Sequence, residues 1–183
     1  MTHRQHGRSL RPTTLNELEG HVPHTFIEGA FAASEAFRQA NIRHVLVGGL
    51  AVGVNGYPRS TKDIDFLVDE NAFEFHGPLV THRPGLPISY AGIGIDWISL
   101  EPQERKALDR FLVIPDINEV PIIPVEPLVA MKLVAGRHKD QADIVELVKS
   151  GTDVESCIDF IECNFASVLP LFNRLVKAAH SEG

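Results

Sequence analysis

Two aspartates, Asp63 and Asp65, alternate with Ile64 and Phe66 in the segment KDIDFLVD. On an extended strand, residues two apart point the same way and lie ~6.6 Å apart, so both carboxylates address one face of a sheet. Acids so placed can converge on two hard cations held ~3.5–4 Å apart, the geometry of two-metal phosphoryl transfer. Mg²⁺ or Mn²⁺ suits such oxygen ligands and keeps other positions for water and substrate phosphates. A third acid, Asp96, lies in GIGIDWIS between Ile95 and Trp97 and faces opposite to both. If its strand lies beside KDIDFLV, Asp96 joins the other two as a metal ligand. The competing reading makes it a solvent-facing acid or the partner of a lysine.

Upstream of the acids stand Gly48 and Gly49, where an apolar run ends and a helix is expected. Lacking Cβ atoms, they let the backbone approach a phosphate, and the following helix start offers unpaired N–H groups. Arg59, Ser60, Thr61 and Lys62 immediately precede the acids and can add charge and hydroxyl contacts to a nucleoside triphosphate. Taken alone, Gly48-Gly49 reads equally well as a plain strand-to-helix turn.

These residues need elements to position them. Residues 25–40 carry Phe26, Ile27, Ala30, Phe31, Ser34 and Phe37 at helical spacing, with Asn41 as the stop. RHVLVGG reads as a short buried strand, LAVGVNG as a short helix ended by Tyr57-Pro58, and KDIDFLVD as an alternating strand. Residues 71–87, rich in proline, are expected to be mainly loop, and ISYAGIGIDWISL (88–100) one long strand with room for a bulge at its glycines. A short charged helix, PQERKALDRF, and brief strands around LVIP and VPIIPV complete this part. From residue 126 the pattern turns helical: EPLVAMKLVA, DQADIVELVKS, DVESCIDFIECNF and VLPLFNRLVKAA. The outline is an α/β (α+β) fold, a small mixed sheet flanked by helices. Its divisions are an arm over 1–24, expected to be loosely packed, a core over 25–125 and a helical segment over 126–183 packed on that core.

Composition narrows the function classes. At 183 residues and 44% hydrophobic, the chain can bury one good core. Its apolar runs are far below the ~20 residues that cross a bilayer, and the polar N-terminus has no apolar segment behind it, so neither a membrane role nor a secretory signal is expected. A net charge of −7 disfavours generic coating of nucleic acid, which needs a basic surface. Cys157 and Cys163 would sit about 240° apart on one helix and read as free thiols of a reducing cytoplasm. His76, His82 and His138 lack metal-ligand spacing and are expected at the surface.

Gly-Gly, a spacer of about a dozen residues, Asp-x-Asp flanked by apolar residues, and a later strand acid together resemble the DNA polymerase β-like nucleotidyltransferase superfamily. PRSTKDIDFLV and VEPLVAMKLVAGRHKDQADIVELV are similar to its minimal members, the nucleotidyltransferase toxins of abortive-infection type; the likeness covers roughly residues 42–149. The resemblance implies a nucleotidyltransferase core in which Gly48 and Gly49 contact phosphate, Asp63 and Asp65 hold Mg²⁺ or Mn²⁺, and Asp96 assists at the acceptor. It further implies that Lys132 touches the triphosphate or transition state, and that Asp140 or Asp143 is a polar site residue. Three acceptors are open, namely an RNA end (favoured), a small hydroxylated compound such as an antibiotic, or a protein side chain. An antitoxin partner and a non-catalytic, partner-binding member of the fold are further implications. Arg83, Arg105, Lys106, Arg110, Arg137 and Lys139 could form an RNA-facing patch.

The residues alone leave two questions. Lys132 is either a site residue or a lysine at the margin of a stripe formed by Leu128, Met131, Leu133 and Val134, and at that margin its loss is expected to leave stability unchanged. Asp140 and Asp143 are either site residues or the capped start of a helix after GRHK.

Overall fold

The period of two in Asp63–Val68 sends Ile64, Phe66 and Val68 to one side and the aspartates and Leu67 to the other, and this segment forms the second strand, β2. The computed structural model describes residues 14–181. In chain order the helices are α1 (His24–Gln39), α2 (Gly48–Val54), α3 (Pro102–Leu108), α4 (Val125–Ala135), α5 (His138–Lys149), α6 (Val154–Phe165) and α7 (Leu169–Ser181). The strands are β1 (His44–Leu46), β2 (Asp63–Val68), β3 (Phe73–His76), β4 (Leu79–His82), β5 (Ser89–Tyr90) and β6 (Ile93–Ile98). The main sheet runs β1-β2-β6-β5. β1 is antiparallel to β2, β2 parallel to β6, and β5 antiparallel to β6. The result is an α+β fold, a small mixed sheet between helices with a helical C-terminal third.

Each face of the sheet has its own core. Ile64, Phe66, Ile95 and Trp97 pack with Ile27, Ala30 and Phe37 of α1, and the rings of Phe37, Phe66 and Trp97 meet edge to face. On the other face, Val45, Val47 and Leu67 share one cluster with Leu128, Ile144, Ile161 and Phe172. The helices from 126 onward therefore share one core with the strand that carries the acids.

Four expectations change. Residues 1–13 lie outside those described, but the rest of the expected arm is packed, since Leu15, Leu18 and Val22 are buried in the α1-side core. Residues 71–87 contain the antiparallel hairpin β3–β4, in which Phe73 faces His82 and Phe75 faces Val80; the prolines fall outside its strands. The long strand expected over 88–100 folds back on itself as β5 and β6, because Ala91 and Gly92 both take positive φ (48° and 82°), as a tight hairpin turn demands. The segments LVIP and VPIIPV give only isolated bridges, His44 to Val113 and Leu46 to Ile122.

A polar cluster sits inside the α1-side core. Fully buried His44 places Nδ1 2.9 Å from the Ile42 carbonyl. Its Nε2 lies 2.7 Å from the Ser34 hydroxyl, which is 2.9 Å from the Glu119 carbonyl. Burial pulls the imidazole pKa below its usual 6.5, against the pull of the Ile42 carbonyl. The unfolded chain therefore takes this proton first, so the His44 contribution to stability is present above about pH 6.5 and is lost as pH falls below it. Urea unfolding at pH 7.5 and 5.5 should show this loss in the wild type and not in His44→Gln; equal slopes in the two proteins would contradict it.

Candidate active site

The three acids meet because β2 and β6 are parallel neighbours in one register. Asp63 lies opposite Gly94, and Asp65 opposite Asp96. One oxygen from each of Asp63, Asp65 and Asp96 lies within 4.8 Å of the others. All three donors are hard carboxylate oxygens on a fixed sheet face, a set that fits Mg²⁺ or Mn²⁺. Asp96 is exposed, whereas Asp63 and Asp65 are half-buried. Burial raises the Asp65 carboxyl to about 6, with Asp63 and Asp96 adding to the rise; the Gly49 N–H and Lys132 oppose it.

Gly48 and Gly49 serve a purpose that the sequence did not disclose. A Cβ at Gly48 would lie 1.8 Å from Asp65 Oδ2, and φ there is +64°. A Cβ at Gly49 would lie 2.5 Å from Thr61 Oγ1, and that hydroxyl reaches Asp63 Oδ1 at 3.2 Å. The glycines make room for Asp65 and for the hydroxyl that supports Asp63. Both glycines line the cavity beside the acids, and the Gly49 N–H lowers the Asp65 carboxyl against its burial. Gly48→Ala should cost at least about 1 kcal/mol from the left-handed backbone alone. It should also weaken Mn²⁺ binding by displacing Asp65. Thermal melts and a calorimetric Mn²⁺ titration check both, and an alanine variant with wild-type affinity would show that Asp65 has room to move.

Beside the acids lies a second charged group, built from three separate segments. Lys132 on α4 is 7% exposed and places Nζ 3.1 Å from Asp140 and 2.7 Å from Asp143. Asp143 also accepts from Arg59 Nε at 2.5 Å and Nη2 at 2.7 Å, and Asp140 accepts from Arg137 at 2.6 Å. Burial pushes the Asp140 carboxyl up, but Arg137 and Lys132 together outweigh it and hold it below the usual range. Lys132 is therefore neither a surface lysine nor a contact of the three strand acids. The expectation that its loss leaves stability unchanged is overturned, because a buried ammonium bonded to two carboxylates is costly to remove. α4 is covered on most sides by α2, α5 and α6, so no single stripe describes it, and Val134, expected in the core, is 47% exposed. Asp140 and Asp143 do not cap α5 either; Arg137 holds the N-cap position, without a side-chain cap bond.

The two groups face one cavity of about 410 Å³. Its walls include Gly48, Gly49, Arg59, Thr61, the three acids, Lys132, Arg137, Lys139 and Asp140, with an apolar part from Leu67, Ile98, Leu128, Met131 and Val134. Ser60 and Lys62 are exposed and are not in the wall, since alternation turns them away once Arg59 and Thr61 point inward. The expected basic patch is divided. Arg137 and Lys139 stand at the cavity, Arg105 pairs with Glu70, and Arg110 lies over Phe111 and Phe160. Asp143 was given no definite place by sequence reasoning, yet it joins Arg59 to Lys132. One signal for it was present: Asp140 and Asp143 are three apart on a helix and so share a face. Among the described residues, no helix is long and apolar enough to cross a membrane.

No family model matches the sequence, and no curated protein matches it. Among solved structures, the fold is similar to the crystal structure of an antigenic nucleotidyltransferase-like protein from Paracoccidioides brasiliensis. That similarity has 16% identity and a TM-score of 0.44, over 81% of this chain and 90% of that chain.

Proposed function

We propose that the protein is a metal-dependent nucleotidyltransferase that moves a nucleoside monophosphate from a nucleoside triphosphate to an acceptor, with an RNA end as the favoured acceptor. The observation that carries this reading is the convergence of Asp63, Asp65 and Asp96 on one spot from two registered strands. When bound there, Mg²⁺ or Mn²⁺ would neutralise triphosphate charge and polarise the α-phosphorus toward attack. The chain's own residues do the rest. Asp63 and Asp65 would hold the metal, Asp96, the exposed acid, would take the acceptor side, and Arg59, Lys132 and Arg137, which line the cavity wall, would offset triphosphate charge. The exposed Arg137 side chain and Lys139, both at the cavity, support a phosphate-bearing acceptor. A toxin-like role with an antitoxin partner extends the same reading.

The test is incubation with each α-labelled triphosphate and Mg²⁺, with total RNA, hydroxylated antibiotics or cell protein as acceptor. Label transferred to RNA supports the reading, and transfer to a small compound or protein would replace its acceptor. No transfer to any of the three, with triphosphate still bound, would favour a partner-binding protein that keeps the fold.

A further inference from the structure

Lys132 has two sets of carboxylates at hand. Its ammonium is bonded to Asp140 and Asp143, and it lines the same cavity as Asp63, Asp65 and Asp96. Asp65 lies close enough to feel its charge. A buried ammonium must be paired, and on a flexible four-carbon stem it goes to whichever set holds it better. The α5 pair is built to hold it. Both carboxylates are 2–3% exposed, and each is gripped from its other side by an arginine, Asp143 by Arg59 and Asp140 by Arg137. The arginines fix the acids, and the acids fix the lysine.

We infer that Asp143, together with Asp140, is a positioning residue that tethers Lys132 away from the three strand carboxylates, so that the chain's own cation does not take the place of the divalent one. This rests on the metal-centre reading above and gives the α5 acids a task which that reading does not require. Freed from Asp143, Lys132 would turn to the acids of β2 and β6 and compete with metal there. Ordinary through-space charge effects make a different forecast, in which each substitution changes metal affinity by its own factor and the factors multiply.

The experiment is a double-mutant cycle read as Mn²⁺ affinity by calorimetry, on wild type, Asp143→Asn, Lys132→Met and the double variant, with folding checked by circular dichroism. Asp143→Asn should weaken Mn²⁺ binding by about tenfold or more, although it is not one of the three metal-facing acids. Lys132→Met should raise affinity by a small factor in the wild-type background, through the loss of its charge beside Asp65, and by a several-fold larger factor in the Asp143→Asn background, where it offsets most of the loss. Equal factors for Lys132→Met in both backgrounds would overturn the tether. If Asp143→Asn does not fold, the same cycle on Asp140→Asn is read by the same criterion, because its other partner, Arg137, is 76% exposed and leaves no buried charge stranded. Absence of Mn²⁺ binding by wild type, or unchanged binding by Asp63→Asn, would remove the metal centre and the tether with it. Wild-type binding combined with a multiplicative cycle removes the tether alone.

Discussion

Asp65→Asn is expected to raise the melting temperature of the metal-free protein and, in the same molecule, to abolish its stabilisation by Mn²⁺. The first effect follows from the carboxyl value of about 6, against an ordinary 3.8. A folded-state value raised above the unfolded one means that the native protein holds this proton more tightly. The contribution to stability is therefore fully present below about pH 4 and is lost as pH rises through about 6. At pH 7 the ionised group costs the fold roughly 2–3 kcal/mol, at ~1.4 kcal/mol per unit. Asparagine keeps the shape without the charge and can still accept from the Gly49 N–H. The gain should be about 5–10 °C at pH 7 and should vanish near pH 4. The second effect has the opposite sign, since a ligand at 100 times its dissociation constant adds about 2.7 kcal/mol to the wild type and should add little to the variant. Scanning calorimetry with EDTA or MnCl₂ at pH 4 and 7 reads both. A variant that melts like the wild type without metal and gains as much from Mn²⁺ would return Asp65 to an ordinary strand acid.

The second large effect is on the fold itself. Asp143→Ala should destabilise the protein by about 3–5 kcal/mol, because it strands Arg59, which loses both of its bonds to that carboxylate, and halves the pairing of Lys132. Lys132→Ala should cost less, since Asp140 and Asp143 each keep an arginine. Denaturant unfolding that ranks the two variants in the reverse order would mean that the carboxylate is dispensable to the group. The His44 slope and the Asp65 slope act in opposite directions near pH 6, so each is best read as a difference between a variant and the wild type.

The acids were legible in the sequence because a strand's period of two is rigid. Asp63 and Asp65 had to share a face, and Asp96 joined them once its strand proved to be the neighbour of β2. Lys132 was harder to place. A single amphipathic stripe implies one covered face, but α4 touches helices on several sides, and no local pattern in its sequence reports what surrounds it. The same limit applies to Gly48, whose contact with Asp65 depends on how the β1–α2 turn leans against β2. It applies as well to Leu15 and Leu18, which become core because α1 and α2 are there to receive them. Local periodicity fixes which way a side chain points, while the identity of what it meets is a property of the assembled fold.

The registered pairing of Asp65 with Asp96 separates the two ends of an excursion from its content. Backbone hydrogen bonds between β2 and β6 hold the acids together, and the chain from Asp69 to Pro87 leaves the sheet before rejoining it at β5. Ala72, Phe73 and His82 anchor that excursion against the core side of Trp97, whereas Phe75, Leu79 and Val80 near its tip are largely exposed. The tip is therefore a cassette. Residues 74–81 form a two-stranded sheet of their own, apart from the one that carries the acids, so changes of length or sequence at this tip bear on what the surface meets before they bear on the acidic centre.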